Sequence, residues 1–417
     1  MSGVGKGVTS ASIAKILQSR GFKVTSIKID PYVNVDAGTM NPTEHGEVFV
    51  LDDGMECDQD MGNYERFLNK DIPGTNYMTT GSIYHSIITK ERSLEYKGRC
   101  VSVVPDVPRE IIEKINKAVK KNKAEIVIVE IGGTVGEYQN ILFLEAVRML
   151  KIENSNDTLL VLVSYLPRIG SDSEPKTKPT QHASRTLNSA GLQPDIIVAR
   201  SVEAIDEKRK EKIAFNCNVR PGDIISAPNV GSIYEVPLNF EKDNLSGIIC
   251  GKLKIKPRQK DFKDWKKLID KIKNAKEEVK IGIAGKYFAT GDFVLSDSYI
   301  SVIEAIKHAA YNFGKKPVIE WLSAEEFEKT ENLPKLSQYD CIIIPGGFGE
   351  RGVEGKISAI KYCRENKIPI LGICYGMQLM VVEFARHIAD LKGAHTTEAN
   401  PKTPYNVIDI LPEQKEK

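Results

Sequence analysis

Short runs of apolar residues recur along the chain and constrain its fold more than any other feature. The clearest is EIVIVEI at 125–131, and TLLVLVS at 158–164 and PDIIVA at 194–199 have the same character. Such runs are typical of parallel strands that are buried on both faces. The segment KVTSIKID at 23–30 is also predicted as a strand, and helical patterns such as residues 109–121 lie between strands. Strands that alternate with helices predict an α/β fold with a doubly wound parallel sheet.

The composition changes in residues 252–280, where lysine dominates. Trp265, Leu268, Ile269 and Ile272 recur there at helical spacing, which predicts an amphipathic linker helix with a solvated basic face. Beyond it a new strand, KIGIA at 280–284, restarts the α/β alternation, and YDCIII at 339–344 and IPILGI at 368–373 are predicted as later strands. We therefore predict a P-loop-type domain over residues 1–254, a basic linker over 255–278 and a second α/β domain over 279–417.

Charge and cysteine content exclude several classes of protein. With 58 Lys and Arg against 56 Asp and Glu, the chain has no global excess of positive charge that would indicate a nucleic-acid partner. Its seven cysteines contain no CxxC pair, which favours reduced thiols in the cytoplasm over a disulfide or zinc framework. The apolar stretches are too short and interrupted to predict a membrane span.

A glycine-rich segment, Ser2-Gly3-Val4-Gly5-Lys6-Gly7, precedes an apolar-periodic helix start. Glycines allow backbone N–H groups at a helix N-terminus to surround phosphates, and a lysine can reach the outer phosphate oxygens. Gly7 stands where a phosphate loop usually has the Ser or Thr that helps to hold Mg²⁺, so we expect carboxylates elsewhere to hold the metal. The motif alone leaves open a simple glycine-rich helix entry.

Three carboxylates are candidates for that metal site. Glu130 ends a buried strand, and Asp58 and Asp60 lie in the segment ECDQDMGNYERF. A carboxylate at the carboxyl end of a parallel strand points into the crevice where such sheets bind ligands, and Mg²⁺ prefers hard oxygen ligands. For Asp58 a surface turn remains an alternative.

A basic cluster, KTKPTQ at 176–181, combines two lysines with hydroxyl and amide groups. This combination suits a polyphosphate and a base edge, although an exposed basic loop is the commoner explanation of such a composition.

The segment Gly372-Ile373-Cys374-Tyr375-Gly376 has the nucleophile-elbow pattern with cysteine in place of serine. At a helix N-terminus the thiolate is favoured, which makes the thiol a good nucleophile. The segment PGGFG at 345–349 follows a predicted strand and can supply backbone N–H groups to an oxyanion hole. No histidine is a convincing base: His387 is too far round the elbow helix, and His395 is the only other one after Cys374.

Taken together, these motifs closely resemble the CTP synthase family, glutamine-dependent amidotransferases that convert UTP to CTP. The resemblance covers nearly the whole chain and rests on GKG at 5–7, KIDPYVNVDAGTMNPTEHGEVFVLDDG at 28–54, DQDMGNYERF at 58–67, TTGSIY at 79–84, VEIGGTVGE at 129–137, KTKPTQH at 176–182, CNV at 217–219, PGGFGERGVEG at 345–355 and LGICYGMQ at 371–378.

The resemblance implies a role for each matching residue. For ATP it implies Ser2, Gly3, Val4, Gly5, Lys6, Gly7, Asp60 and Arg200. For Mg²⁺ it implies Asp60 and Glu130. For UTP and the inhibitor CTP it implies Ser2, Glu137, Tyr138, Gln139, Lys176, Thr177, Lys178, Pro179, Thr180, Gln181 and Lys212. It implies catalytic roles for Lys6, Lys28 and Cys374, an oxyanion hole at Gly346 and Tyr375, and glutamine binding by Gly346, Gln378 and Glu398.

The resemblance also implies partners and regulation. UTP, ATP and glutamine would be substrates, GTP an allosteric activator and CTP a feedback inhibitor of a cytoplasmic homotetramer, with no nucleic-acid or membrane partner. Two alternatives stay open at this point. One is a non-catalytic, regulatory nucleotide-binding relative that assembles with complete subunits, and the other is a P-loop ligase of the dethiobiotin synthetase kind.

Three departures from the family pattern stand out. The chain begins at Met1-Ser2, without the strand expected before a phosphate loop, and ends at Lys417, before the family's His-Pro-Glu motif. We therefore expect a truncated form whose residues 1–417 alone lack glutamine-dependent turnover. Asp106 stands where the family typically has histidine, and we expect it to alter local details of the UTP pocket or of activation.

Overall fold

The structure is a computed structural model that describes residues 3–168, 170, 174–285, 289–290, 293–294, 296–347, 349 and 351–411. Its α-helices are α1 Lys6–Ser19, α2 Pro42–His45, α3 Asp60–Leu68, α4 Thr80–Arg92, α5 Val103–Asn122, α6 Ile141–Glu153, α7 Lys178–Ser189, α8 Glu207–Cys217, α9 Val236–Phe240, α10 Leu245–Lys252, α11 Lys263–Asn274, α12 Ile300–Asn312, α13 Val353–Glu365 and α14 Tyr375–His387. Its strands are β1 Val24–Asp30, β2 Val48–Val50, β3 Glu56–Asp58, β4 Tyr77–Thr79, β5 Ile126–Ile131, β6 Val161–Tyr165, β7 Ile196–Ser201, β8 Ile224–Pro228, β9 Glu277–Gly285, β10 Ala289–Thr290, β11 Phe293–Val294, β12 Lys315–Ser323, β13 Cys341–Ile344, β14 Ile370–Gly372, β15 His395–Thr396 and β16 Asn406–Ile408.

The chain divides into two compact units. One comprises Met1–Met40 and Val48–Lys263, and the other comprises Asn41–Glu47 and Asp264–Lys417. Helix α11 carries the predicted amphipathic pattern, because Trp265 and Ile269 are buried while lysines occupy its exposed face. The division into domains at residues 254 and 279, with a linker over 255–278, remains a prediction.

The first unit contains two three-stranded parallel sheets, with strand orders β4-β1-β5 and β6-β7-β8. Every residue of β1 is buried, as expected for a central strand covered on both faces. Ile27 and Ile29 pack in one core with Ile111 of α5 and Phe143 of α6. The register pairs Lys28 with Glu130 across β1 and β5, so these two side chains project from neighbouring strands near their carboxyl ends.

The second unit is built on a four-stranded parallel sheet with the order β12-β9-β13-β14. Apolar residues of β13 pack with Ile357 and Ile360 of α13 and with Leu379 and Val382 of α14. The α/β fold class predicted from the sequence is therefore confirmed. No helix in the described ranges is both long and apolar enough to cross a membrane.

The strand predictions located β1, β5, β6, β7, β9, β13 and β14 but missed three strands of the parallel sheets. Strand β4 has only three residues, and β8, with the sequence IISAP, ends in a proline. Strand β12, KKPVIEWLS, mixes lysine, proline and glutamate with apolar residues and is only partly buried. None of the three presents the continuous apolar run that marks a central strand.

Helix α4 begins with a reciprocal capping box that also anchors the preceding loop. The Thr79 hydroxyl accepts a hydrogen bond from the Ser82 N–H at 2.9 Å, and the Ser82 hydroxyl accepts one from the Thr79 N–H at 3.0 Å. The Thr79 hydroxyl donates to the carbonyl oxygens of Asn34 and Val35 at 2.6 and 3.0 Å. One hydroxyl therefore stabilises both the helix terminus and the loop after β1.

We expect Thr79→Val to lower the free energy of unfolding by about 1–2 kcal/mol, because the cap is lost while the side-chain shape is kept. Urea denaturation followed by circular dichroism measures the change. Ser102→Ala is the matched control, since Ser102 precedes α5 but its side chain makes no cap hydrogen bond within the described structure. Equal midpoints for the two variants would contradict the prediction.

Candidate functional site

The glycine-rich segment forms the entry to α1. Gly3 and Gly5 have φ angles of +69° and +87°, in the left-handed region that glycine adopts without strain. A Cβ atom on Gly5 would lie 3.8 Å from the Arg200 Nε, so Arg200 of β7 borders this loop. Backbone N–H groups at such a helix start suit anion binding. Ser2, which sequence reasoning assigned to ATP and UTP, lies outside the described residues.

Gly7 packs directly against a carboxylate. A Cβ atom at Gly7 would collide with the Asp60 Oδ1, and both Gly7 and the start of α3 at Asp60 are fixed by helix packing. The Asp60 carboxyl group therefore occupies the space that a Ser or Thr side chain would need at position 7. This contact explains the glycine and is consistent with a carboxylate taking over the role of the missing hydroxyl.

Lys28 lies at the centre of a group of four carboxylates. Its ammonium group forms a very short ion pair with Asp60 and lies 3.1 Å from the Glu130 Oε1. It is also 3.6 Å from the Asp30 Oδ1 and 3.7 Å from the Asp58 Oδ1. The Lys28 side chain is 6% exposed, so this charge balance forms largely out of water.

The charge balance shifts the pKa of each member. Burial alone would lower the pKa of Lys28, but the carboxylates, with Asp30 foremost, raise it well above its usual value. Burial also favours the neutral form of Asp60, yet Lys28 outweighs it and lowers the pKa of Asp60. Burial dominates at Asp30, whose pKa rises to about 7, and it also raises the pKa of Glu130. Lys28 is therefore firmly cationic and Asp60 firmly anionic.

Glu130 and Asp30 receive further contacts from tyrosines. The Tyr64 hydroxyl on α3 donates a short hydrogen bond to the Glu130 Oε2, and the Tyr32 hydroxyl donates to the Asp30 Oδ2 at 3.4 Å. Sequence reasoning selected Glu130 but missed Asp30 and Tyr64. Asp30 ends β1 beside the end of the parallel strand β5. Its position at the end of a predicted strand, like that of Glu130, is the sequence feature that could have identified it.

Lys6 extends toward the same group. Burial lowers the pKa of Lys6, Lys28 adds to that lowering, and the carboxylates of Glu130, Asp60 and Glu137 oppose it. Within the described residues, no group of three or more His, Cys, Asp or Glu side chains is arranged to hold a metal ion. The carboxylates instead converge on the Lys28 ammonium.

All but two of the predicted UTP and CTP residues fall on two neighbouring segments, the start of α7 and the loop after β5. Helix α7 begins at Lys178 with Pro179 in its first turn, and a Cβ atom at Gly136 would lie 2.9 Å from the Thr186 Cγ2. Helix α7 therefore packs beside the loop that carries Glu137, Tyr138 and Gln139, all three of which are exposed. Lys212 is exposed on α8, and Lys176 is half-buried.

Buried polar groups support the start of α7. The Gln181 Nε2 donates to the Thr177 hydroxyl at 3.1 Å, and the Thr180 and Ser164 hydroxyls lie 2.9 Å apart. The Gln181 Oε1 is buried and has no donor among the described residues. A buried acceptor without a donor is costly, so this oxygen suits an O–H or N–H group of a ligand.

Asp106 has a local structural role. It is buried and accepts hydrogen bonds from the Arg99 Nη2 at 2.7 Å, the Arg99 Nη1 at 3.2 Å and the Ser102 N–H at 2.7 Å. Arg99 and the Ser102 N–H lower the pKa of Asp106. The carboxylate thus ties the loop before α5 to that helix, and its effect on UTP binding or activation remains a prediction.

In the second unit, Cys374 sits on a sharp turn between β14 and α14. Its φ and ψ are +53° and −114°, an unfavourable backbone conformation for a residue with a side chain. A Cβ atom on Gly376 would collide with the Ile344 carbonyl oxygen, and one on Gly372 would lie 2.6 Å from the Gly376 carbonyl carbon. Both flanking glycines are therefore required for the elbow, which leaves Cys374 exposed at the helix N-terminus.

Backbone from the predicted oxyanion loop lies next to the thiol. A Cβ atom on Gly346 would lie 3.7 Å from the Cys374 Sγ. The Gly349 N–H donates to the Glu398 Oε1 at 3.1 Å, which joins this loop to a predicted glutamine-binding residue. Tyr375 is buried and Gln378 is half-buried in the first turns of α14. Phe348 lies outside the described residues.

The two histidines that follow Cys374 are engaged elsewhere. His387 ends α14, about 18–20 Å along the helix from Cys374, and its Nδ1 lies 3.3 Å from the Glu383 Oε1. The buried His395 accepts a hydrogen bond from the Thr396 N–H at Nδ1, and its Nε2 lies 3.6 Å from the Glu354 Oε1. The expectation that neither is the base for Cys374 remains a prediction.

Comparisons with known proteins match both units. A family profile described as "CTP synthase N-terminus" matches residues 1–255, and one described as "Glutamine amidotransferase class-I" matches residues 294–408. The CTP synthase of Pyrococcus furiosus is 50% identical over 416 residues, covering 100% of this chain and 76% of that protein. The CTP synthase of Halalkalibacterium halodurans is 46% identical over 417 residues, covering 100% of this chain and 77% of that protein.

A solved structure described as "Trypanosoma brucei CTPS - glutaminase domain with bound acivicin" is 33% identical to this chain. The match covers 32% of this chain and 50% of that chain with a TM-score of 0.30, which is too low to support a structural comparison. None of the similarities favours a non-catalytic nucleotide-binding relative. The chain belongs to the CTP synthase family, glutamine-hydrolysing ligases that convert UTP to CTP with ATP as co-substrate in pyrimidine nucleotide biosynthesis.

Proposed function

We propose that the group around Lys28, with the entry to α1, is where this chain activates UTP with ATP. The observation that carries the proposal is the Asp60 carboxylate in the side-chain space of Gly7, next to a fixed lysine. A helix N-terminus, two lysines and ionised carboxylates provide the positive and negative groups that phosphoryl transfer needs. Arg200 borders the same loop and is assigned to ATP together with Gly3, Val4, Gly5, Lys6 and Gly7.

In the proposed reaction, O4 of the uracil ring attacks the γ-phosphorus of ATP and ADP leaves. Lys6 and Lys28 stabilise the negative charge that develops on the phosphoryl oxygens. The nitrogen of ammonia then forms a bond to C4, the C4–O4 bond breaks, and inorganic phosphate departs with O4. The N3 proton is lost when O4 is phosphorylated, and loss of one proton from the added nitrogen then gives CTP.

We assign Mg²⁺ to Asp60 and Glu130. Mg²⁺ is usually bound by one or two carboxylates together with substrate phosphates, so the absence of an all-protein cluster from the described residues is compatible with this assignment. When bound, the ion would neutralise phosphate charge. Lys28 keeps Asp60 ionised, and Tyr64 orients Glu130.

We further propose that Cys374 is the nucleophile of the glutaminase reaction, in which ammonia is released from glutamine. We still expect residues 1–417 alone to lack glutamine-dependent turnover, because the sequence offers no convincing histidine base for this thiol. Its sulfur would form a bond to the side-chain carbonyl carbon, and the C–N bond would break as the thiol proton passes to the departing nitrogen, which leaves as ammonia. Water would then cleave the thioester to glutamate and the free thiol. N–H groups at Gly346 and Tyr375 would stabilise the oxyanion, and Gln378 and Glu398 would bind glutamine. The position of Gly346 beside the sulfur supports this assignment.

The remaining assignments complete the proposal. UTP and CTP, the feedback inhibitor, would contact Lys176–Gln181, Lys212 and Glu137–Gln139, with the Gln181 Oε1 as a buried acceptor for the nucleotide. GTP would activate the glutaminase, and the active form would be a homotetramer. The seven free cysteines support a reducing, cytoplasmic location.

We expect Gly7→Ala to reduce ammonia-dependent CTP formation at least about 100-fold, because the added methyl group displaces Asp60. The rate of CTP formation from UTP, ATP and ammonium chloride measures the effect. Gly251→Ala is the control, since a Cβ atom there meets no described atom within 4 Å apart from its chain neighbours and the backbone of its own helix, α10. Parental activity in Gly7→Ala would show that the Asp60 position is unimportant.

Asp60→Asn and Glu130→Gln should each raise the Mg²⁺ concentration for half-maximal activity at least about tenfold, because each removes an anionic ligand. Calorimetric titration of ATP at several Mg²⁺ concentrations gives a readout that is independent of turnover. Asp58→Asn is the control from the same group, since Asp58 lies 3.7 Å from Lys28 and is not an assigned ligand. A common shift in all three variants would rule out the specific assignment.

Cys374→Ala should keep ammonia-dependent CTP formation within about twofold, because the thiol has no part in the proposed phosphorylation of UTP or in the attack of free ammonia. The same variant should lose covalent labelling by an electrophilic glutamine analogue, measured as the mass of the intact chain. Cys100→Ala, which removes another exposed cysteine, should keep the labelling. Loss of labelling in Cys100→Ala instead would refute the assignment of the nucleophile.

A further inference from the structure

Arg386 joins three segments of the second unit that carry parts of the proposed glutamine site. It lies in the last turn of α14, the helix that begins directly after Cys374, and its side chain is 17% exposed. The Arg386 Nε donates to the Ala394 carbonyl oxygen at 2.6 Å. Its Nη1 donates to both Glu354 carboxylate oxygens, at 2.9 and 3.1 Å.

Each partner of Arg386 is close in sequence to residues of the proposed glutamine site. Glu354 lies in the first turn of α13, immediately after the loop that contains Gly346 and Gly349. Ala394 directly precedes β15, which leads to Glu398. The hydrogen bond from the Gly349 N–H to Glu398 then joins the loop before α13 to the segment that follows β15.

The segment after Ala394 has further contacts that hold it in place. Thr396 is fully buried, and its hydroxyl accepts a hydrogen bond from the Ala399 N–H at 3.2 Å. The preceding residue, His395, places its Nε2 3.6 Å from the Glu354 Oε1. His395 and Thr396 before Glu398 and Ala399 after it therefore all make contacts that hold this segment.

The geometry depends on the planar guanidinium group. Arg386 contacts a carbonyl oxygen through Nε and a carboxylate through Nη1. The two nitrogens belong to one planar guanidinium group and donate their hydrogen bonds in different directions. A lysine would keep the charge but offers a single nitrogen, so it cannot hold both groups in this arrangement. Because Glu354 is 58% exposed, its ion pair adds little to overall stability and its effect is on local position.

We propose that Arg386 is a positioning residue for the glutamine site, where it holds residues 394–399 against the start of α13 so that Glu398 stays bonded to the Gly349 N–H. This inference rests on the proposed function of Glu398 in glutamine binding. It predicts that Arg386 acts without touching the substrate, through the backbone that carries Glu398.

Amide hydrogen exchange of the full, ligand-free chain tests the inference directly. In Arg386→Lys, exchange at Gly349 and at residues 394–399 should become at least about fivefold faster, while the rest of α13 and α14 keeps its parental rates. Parental exchange at Gly349 overturns the inference, as does a uniform increase through both helices, which is the result of general destabilisation.

The matched control is Arg364→Lys. Arg364 also joins α13 to α14, through Glu383 at 2.8 Å, but its bonds lead to neither Gly349 nor residues 394–399. This variant should leave Gly349 exchange unchanged. Equal acceleration in the Arg364 and Arg386 variants contradicts a specific role for Arg386. Glu354→Gln, which removes only the charge of the partner, should accelerate the same amides less than Arg386→Lys.

A second measurement separates this inference from the proposed function. Glutamine should protect Cys374 from alkylation by iodoacetamide, quantified on the Cys374 peptide by mass spectrometry, and Arg386→Lys should raise the half-protecting concentration at least about fivefold. The alkylation rate without glutamine should stay within about twofold, because the elbow itself is intact. If Glu398→Gln leaves protection unchanged, the proposed glutamine site is wrong; if it weakens protection but Arg386→Lys does not, only the present inference is wrong.

Discussion

The first unit depends on one electrostatic arrangement, in which four carboxylates surround the Lys28 ammonium group. Asp30, Asp58, Asp60 and Glu130 come from β1, β3, α3 and β5, and they could not all approach one another without a buried cation. Lys28 projects from the central strand of its sheet, where neighbouring strands hold its backbone. The same charge therefore stabilises the fold locally and keeps Asp60 ionised for its proposed chemistry.

Both units place reactive groups where a parallel strand ends. Glu130 and Asp30 lie at the ends of β5 and β1, and Cys374 follows the end of β14. Parallel sheets direct the carboxyl ends of their strands to one edge, where the following loops can meet a ligand. The charged groups in one unit and the thiol in the other thus use the same property of the α/β fold, although their chemistry differs.

Much of this organisation could be predicted from the sequence. The elbow was predictable because Gly372 and Gly376 flank a cysteine between an apolar strand and a helix, and steric exclusion gives those glycines a clear pattern. Glu130 was predictable because it interrupts an apolar run at the carboxyl end of a predicted strand. Strand β4 was not, because three residues cannot establish a hydrophobic period. The parts of the site that escaped prediction depend on contacts between residues far apart in sequence.

Two examples show this limit. Asp30 is followed by a proline and a tyrosine, and nothing local distinguishes it from a strand-end carboxylate until the register sets β1 beside β5. The Arg386 contacts depend on where α14 ends relative to Ala394 and Glu354, which no spacing in the sequence specifies. The carboxylate at Asp106 departs from the family pattern, but its pairing with Arg99 became evident only from the folded loop.

The close approach of Gly7 to Asp60 also restricts how this protein can evolve. A hydroxyl side chain at position 7 and a carboxylate at position 60 compete for the same volume, so they are mutually exclusive ways to furnish an oxygen at this point. Changing position 7 alone produces a collision, and shortening position 60 alone leaves a gap and removes one of the four carboxylates around Lys28. An exchange between the two arrangements must therefore pass through an impaired intermediate, which ties the identities of these two distant positions to each other in any lineage that keeps the site.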